Sequence, residues 1–452
     1  MKNCGEMIAN LSYEQMNIWK IHNQYPDIPL FNVSYLYHVK SGFIDDNFIK
    51  AIKWVVSRHG GFSSRVGGDA ENAMQFGPSE SEDRINDYVY YFEKAESFRE
   101  AYDLIIMRSA VPFRLNLSSP IRADIVPMEE GEFLVNITVH QIICDCWSAS
   151  LFFKELSATY NAYLINQEPE VTSVSPAYMR YSLWLAQPEQ QLKIKQNNQY
   201  WLRYLDNVQI PSALSQYTKV SENRPFSGHY VSEKIPEEMH KRICALAQAQ
   251  AITPYVLYMT LFAAFLQQGS QQQDFTLSYP SASRNMPGSE DMLGLFTRLL
   301  PLRFRFDQSV SLKLLAARTY ENFLNNAEHD LCCISDVIKD ADIKNTELPF
   351  GLFRVVFGQV GRRNHGLDFK GTCVESVALH SGLTKTDLLI MLDLHDRKPG
   401  VFIEYSCNLF TGENIVLLWQ DFILFIQRAL DNNLELHAEI KTAASAPLAI
   451  SG

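Results

Sequence analysis

Between residues 44 and 59, Ile44, Phe48, Ile52 and Val55 recur at helical spacing behind Asp45 and Asp46, which predicts an amphipathic helix. Residues 133–143 (FLVNITVHQII) are β-branched and apolar on both sides of a two-residue repeat, the pattern of a strand buried in a sheet. The sequence CDCWS follows, and helical spacing then runs from about 149 to 163, so this stretch is expected as strand, loop and helix. A polar helix rich in Gln and Lys is expected over 188–205. Thr253-Pro254 reads as an N-cap followed by proline at the first helical position, ahead of a helix apolar nearly all round and therefore buried. Strands are expected at 274–279, 352–358, 387–394 and 400–406, the last two as a hairpin through HDRKPG. Thr411 is placed to cap a final helix that ends near Leu430.

Helical and strand patterns alternate without a repeat of 20–50 residues, so the expected fold class is α/β. The polar, proline-bearing segment 165–177 (INQEPEVTSVSPA) lacks any period and sets the expected boundary. The division is then 1–172, 173–441 and a linker-like tail, 442–452 (TAASAPLAISG).

Composition narrows the function. The 452 residues are 46% hydrophobic and 20% charged, ordinary for a soluble globular chain. A net charge of −11 with no run of lysine or arginine argues against a nucleic-acid partner and against a polybasic membrane anchor. The longest apolar stretch, 255–266, is about a dozen residues, short of the ~20 that span a bilayer. Residues 1–15 hold no continuous apolar core, so no signal peptide is read and a cytoplasmic location is expected. The eight cysteines form no CxxC pair and are expected as reduced, mostly buried thiols.

The chemistry-bearing stretch is 139–148 (VHQIICDCWS). As a metal site, His140, Cys144, Asp145 and Cys146 would put three ligands at consecutive positions, which do not readily converge on one ion, so no metal is expected. A nucleophilic Cys146 would lack a second histidine nearby in sequence to activate it.

Several segments, in order and over nearly the whole chain, resemble the condensation domain of nonribosomal peptide synthetases. LSYEQMNIW at 11–19 resembles that family's opening S-x-x-Q-x-x-x-W helix, and RHGGFSSRV at 58–66 its R-H-E-x-L-R-T-x-F segment. VHQIICDCWS sits where the family carries its H-H-x-x-x-D-G signature. YMRYSLW at 178–184 resembles Y-x-D-Y-A-x-W, and GLFTRLLPLR at 294–303 resembles G-F-F-V-N-T-x-x-x-R. TKTDLLIML at 384–392 and EYSCNLF at 404–410 resemble its closing strands. An H-x-x-x-D skeleton alone arises often by chance, whereas all these segments in order at the right separations are specific.

The resemblance implies two chloramphenicol-acetyltransferase-like lobes in a V-shaped pseudo-dimer, with the active site in a central tunnel. Donor and acceptor carrier proteins would deliver their substrates on phosphopantetheine arms, and the acceptor amine would attack the donor thioester. No cofactor is expected to bind directly, and neighbouring synthetase domains are the other expected partners. A monomer is expected, because two lobes supply internally the interface that trimeric acetyltransferases make between their protomers.

This chain departs from the family pattern at the reacting centre. Gln141 stands where the family has its second, active-site histidine. A carboxamide has no useful pKa and cannot act as general base, but it donates and accepts hydrogen bonds and can position an amine. His140 matches the first histidine of the pair and is expected to pack into the sheet, with a substitute base as the alternative. Asp145 matches the family's architectural aspartate. Because Ser63 replaces the second arginine of R-H-E-x-L-R, Arg58 or Arg65 is expected as its partner. Cys146 replaces the motif glycine and, with Trp147, Ser148 and Arg298, is expected to line the tunnel. Arg298 occupies an asparagine position, where a guanidinium would bind an acidic donor or plug the channel. Arg114 stands at a usual aspartate, a change without a physical explanation. Three readings follow: an amide-forming acyltransferase with Gln141 as positioning group, an inactive docking platform for carrier proteins or a tailoring enzyme, and a different carrier-bound reaction.

Overall fold

The computed structural model describes residues 8–40, 42–69, 71–77, 88–170, 178–209, 214, 217–218, 225–307, 310–341, 351–361, 366–395 and 398–432. The expected boundary at 172/173 and the tail 442–452 lie outside the described residues. Contacts divide the chain into two compact units. The first takes the chain up to Gln196 together with Ala282–Arg298 and Gly361–Ser381; the second takes Asn197–Ser281, Leu299–Val360 and the chain from Gly382 onward. The partition is therefore not a single cut in sequence.

The first unit is built on a five-stranded sheet in the order Val374–Val377, Asn32–Val39, Phe133–His140, Ile121–Pro127, Val89–Tyr91. Its central strand pairs antiparallel on both sides, with Asn32 opposite His140 and Ile121 opposite Val139. Alternation then assigns the faces. Tyr35 and Tyr37 pack edge-on against Phe153 of the helix Cys146–Leu164. On the opposite face, Leu36, Val126 and Leu134 pack with Ala101 and Ile105 of the helix Phe98–Ser109. The amphipathic helix expected at 44–59 is Asp45–Arg58, which buries Phe48, Ile52 and Val55. A small sheet of Ile8–Asn10, Met74–Phe76 and Arg65–Gly67 completes the unit.

The second unit carries a six-stranded mixed sheet, ordered Arg298–Arg305, Asp274–Ser281, Val355–Gln359, Leu388–Asp393, Gly400–Ser406, Gly228–Lys234. The expected hairpin is present, with Leu388 opposite Tyr405 and Asp393 opposite Gly400. Thr253 caps the helix Pro254–Ser270, accepting the Val256 amide at 3.2 Å. That helix is buried, and Phe262 meets Phe357 and Phe422 at 5.2 Å. Thr411 likewise caps Gly412–Asp431 through the Asn414 amide. Among the described residues no single helix is long and apolar enough to cross a membrane.

Candidate active site

The strand Phe133–His140 ends at His140, three residues earlier than its apolar run predicts, because Gln141–Ile143 turns into a single 3-10 helix. His140 caps that turn: its Nδ1 accepts the Ile142 amide at 3.2 Å, so a neutral ring carries its proton on Nε2. The ring is 1% exposed and stands edge-on to His22 and Phe113. Its Nδ1 lone pair is thus spent on the backbone.

Gln141 opens the turn and keeps partial exposure, while its backbone N–H donates to the Phe31 carbonyl at 2.8 Å. The turn is held from below by Gln15, whose Nε2 donates to the Ile142 carbonyl at 3.1 Å. Gln15 is itself fixed by a capping box with Ser12 at the start of the helix Tyr13–Gln24. The opening motif therefore supports the turn that bears Gln141.

The helix Cys146–Leu164 begins three residues earlier than its apolar spacing predicts, because Asp145 caps it by accepting the Ser148 amide at 2.8 Å. The other Asp145 oxygen accepts the Phe296 amide at 3.0 Å, the Thr297 amide at 3.1 Å and the Thr297 hydroxyl at 3.3 Å. Its ion-pair partner is Arg284, at 3.1 Å, with the two side chains 5% and 3% exposed. This corrects the expectation for Arg58, which pairs with Glu155 at 3.0 Å and lies over Trp54. Arg65 sits on the strand Arg65–Gly67. Sequence reasoning missed Arg284 because SASRNMPG belongs to no quoted motif and lies 139 positions away.

Arg284 also donates to the carbonyls of Ser289 and Met292 and to Ser148 Oγ, while its guanidinium lies over the Phe296 ring at 4.2 Å. Ser148, fully buried, donates to the Gly294 carbonyl at 2.7 Å and accepts the Gly294 amide at 3.0 Å. Trp147 Nε1 donates to the Glu290 carbonyl at 2.9 Å. The segment 289–297 is thereby clamped onto the cap of the helix. Gly294 is required there: a Cβ would lie 1.8 Å from Tyr178 Cδ2. The Tyr178 hydroxyl donates to the Leu295 carbonyl, so at 2.8 Å the Ser12 hydroxyl donates to Tyr178.

Arg298 is a buried, paired guanidinium. It is 4% exposed, its Nε donates to Glu14, and an Nη donates to the Tyr181 hydroxyl at 2.9 Å. Glu14, 284 positions away, neutralises the charge that the asparagine-to-arginine change brings. Cys146 is the first helical residue, follows a cap with φ −100°, and is not among the positive-φ residues. A Cβ is therefore accommodated without backbone strain, and the thiol is exposed. Burial pushes the neighbouring Cys144 thiol up. Among the described residues no cluster of three or more His, Cys, Asp or Glu side chains is disposed to hold a metal.

A condensation-domain family profile matches residues 6–447. The chain belongs to the condensation domain family. Bacitracin synthase 1 of Bacillus licheniformis is 23% identical to it over 411 residues, covering 89% of this chain and 7% of that protein. Surfactin synthase subunit 2 of Bacillus subtilis (strain 168) is 24% identical over 322 residues, covering 71% and 9%. The condensation domain described here thus spans less than a tenth of the length of these curated relatives. Its fold is similar to the X-domain from teicoplanin biosynthesis, with a TM-score of 0.79, 17% identity and coverage of 95% and 96%. The first condensation domain of the CDA synthetase superposes with a TM-score of 0.76 at 17% identity, covering 96% and 98%.

Proposed function

We propose that this condensation domain joins a carrier-bound acyl thioester to a carrier-bound amine in a nonribosomal peptide or hybrid polyketide assembly line, with Gln141 positioning the amine. The observation that carries this reading is the division of labour in the signature. His140 Nδ1, both oxygens of Asp145, Ser148 Oγ and Trp147 Nε1 are consumed in holding the turn and helix start. Gln141 stays partly exposed on that braced turn.

In the proposed step Gln141 Oε1 accepts a hydrogen bond from an N–H of the neutral acceptor amine, which stays bonded to nitrogen, and so directs the amine lone pair at the thioester carbon. The C–N bond forms, the tetrahedral intermediate expels the pantetheine thiolate, and the amine proton passes through water to that thiolate. A thiolate leaves without acid assistance, so the missing base costs an amine nucleophile less than it would a hydroxyl. Base assistance is worth roughly 10²- to 10⁴-fold, and orientation of bound reactants can contribute more. A groove of about 680 Å³ runs along Cys146–Leu164 from Ser150, one turn beyond Cys146, and is lined by Lys154 and by Asp368, of opposite charge.

The platform reading has its own support: no histidine occupies position 141, and His140 is buried. The X-domain from teicoplanin biosynthesis, of similar fold, forms a complex with OxyB. Intact-protein mass spectrometry of loaded donor and acceptor carrier proteins separates the two. Elongated acceptor from the wild type, reduced in Gln141→Ala, supports the transferase; no product from the wild type but product from Gln141→His supports the platform.

A further inference from the structure

The second unit contains a groove of about 410 Å³ that the signature chemistry does not use. Four guanidinium groups line it: Arg203 at the end of the helix Pro188–Tyr204, Arg303 and Arg305 on the strand Arg298–Arg305, and Arg318 on the helix Leu312–Glu328. In a chain of net charge −11 this concentration of positive charge is unusual.

The inner and outer arginines differ. Arg303 is 5% exposed and forks onto both oxygens of Asp274, while an Nη donates to the Tyr204 carbonyl at 2.6 Å. It is part of the wall. Arg305 is 68% exposed and reaches Asp274 only at 3.5 Å; Arg318 is 45% exposed and pairs with the exposed Asp307 at 3.0 Å. Arg203 is exposed and makes no ion pair among the described residues. Surface pairs of this kind contribute little and exchange readily.

We infer that this groove docks an acidic segment of a partner protein, with carboxylates taken by Arg203, Arg305 and Arg318. Arg298–Arg305 is an edge strand, yet the Arg303 amide donates to the Tyr204 hydroxyl at 2.8 Å, so the edge is capped there and added-strand pairing is blocked. Recognition therefore falls to side chains. The three outer guanidinium groups are spread over two helices and a strand instead of converging, and Glu321 also lines the groove. Glu321 repels any anionic group set beside it, so the fitting occupant is an extended segment whose spaced carboxylates meet the arginines, with an uncharged residue at Glu321, and one of which exchanges for Asp307 like for like. Relatives extend more than tenfold beyond the matched region, so such a chain has further domains beside it in those proteins.

The test is fluorescence anisotropy of the whole chain with a fluorescein-labelled Glu-rich peptide and its Gln counterpart. The Glu peptide binds, the Gln peptide does not, and Arg203→Glu/Arg318→Glu weakens binding by about tenfold or more with an unchanged melting temperature. Arg99→Glu, a charge reversal at an exposed arginine of the first unit on Phe98–Ser109, leaves binding intact. Wild-type failure to bind, equal affinity in the double variant, equal weakening by Arg99→Glu, or displacement of the peptide by equimolar pyrophosphate would each overturn the inference.

Discussion

Arg284 and Asp145 form a buried ion pair at 3.1 Å, although 139 positions separate them. Asp145 simultaneously caps the helix Cys146–Leu164 and accepts two amides and a hydroxyl from Phe296 and Thr297. One carboxylate thus ties the start of the signature helix to the 289–297 segment, and Arg284 satisfies its charge. Removing one partner of such a pair leaves the other charged and desolvated, at a cost of about 3–5 kcal/mol. Arg284→Met is expected to lower unfolding stability by that order in urea denaturation, and Arg284→Lys to recover only part of it, because an ammonium cannot reproduce the forked contacts to Ser289, Met292 and Ser148.

Gly294→Ala places a methyl inside the Tyr178 ring. Overpacking of this kind costs about 1–3 kcal/mol or more. Thermal melting should show a larger loss than Gly131→Ala, where no atom lies within 4 Å of the added carbon but φ is +72°. Equal losses would mean that the Tyr178 contact contributes nothing.

Much of this architecture is legible in the sequence. The helix Asp45–Arg58 follows from a four-residue apolar recurrence, and Thr253 and Thr411 announce their helices by local capping chemistry. The run FLVNITVHQII overstates its strand because apolarity continues through Ile142 and Ile143, which are buried in a 3-10 turn as readily as in a ladder. What sequence could not deliver is long-range pairing. Arg58 is an arginine in the right motif, but it is held by Glu155, and Arg284 lies in a segment without periodicity. Arg298 looks like a free charge until Glu14 is seen against it.

Thiol reactivity checks the placement of the signature. Cys146 and Cys373 are exposed, whereas burial pushes Cys144 up and Cys333 up to about 12. At pH 8, iodoacetamide followed by peptide mass spectrometry should label Cys146 and Cys373 in the native state, and Cys144 and Cys333 only after denaturation. Labelling of Cys144 as fast as Cys146 would contradict the buried turn.

Glu155 gives a pH signature. Burial works against its charged form, but the hydrogen bonds and charges of His59 and Arg58 outweigh burial and hold it below its ordinary value of 4.5. A depressed carboxyl contributes stability that is present above its unfolded pKa and lost as pH falls through the folded one. The melting-temperature deficit of Glu155→Gln should therefore be full at pH 7 and shrink below about pH 4.5. A deficit constant down to pH 3 would contradict that linkage.

The central claim is that a carboxamide, with no proton transfer of its own, organises the condensation. Single-turnover rates across pH 5.5–8.5 with loaded carrier proteins, corrected for the neutral fraction of the acceptor amine, test it most directly. The wild type should form product with a rate that carries no further pH dependence, Gln141→Ala should be slower by about 10- to 100-fold, and Gln141→His should gain a rising limb near pH 6.5. A wild-type rate with its own limb near that pH would assign proton transfer to another group, and no product from the wild type at any pH would contradict the account.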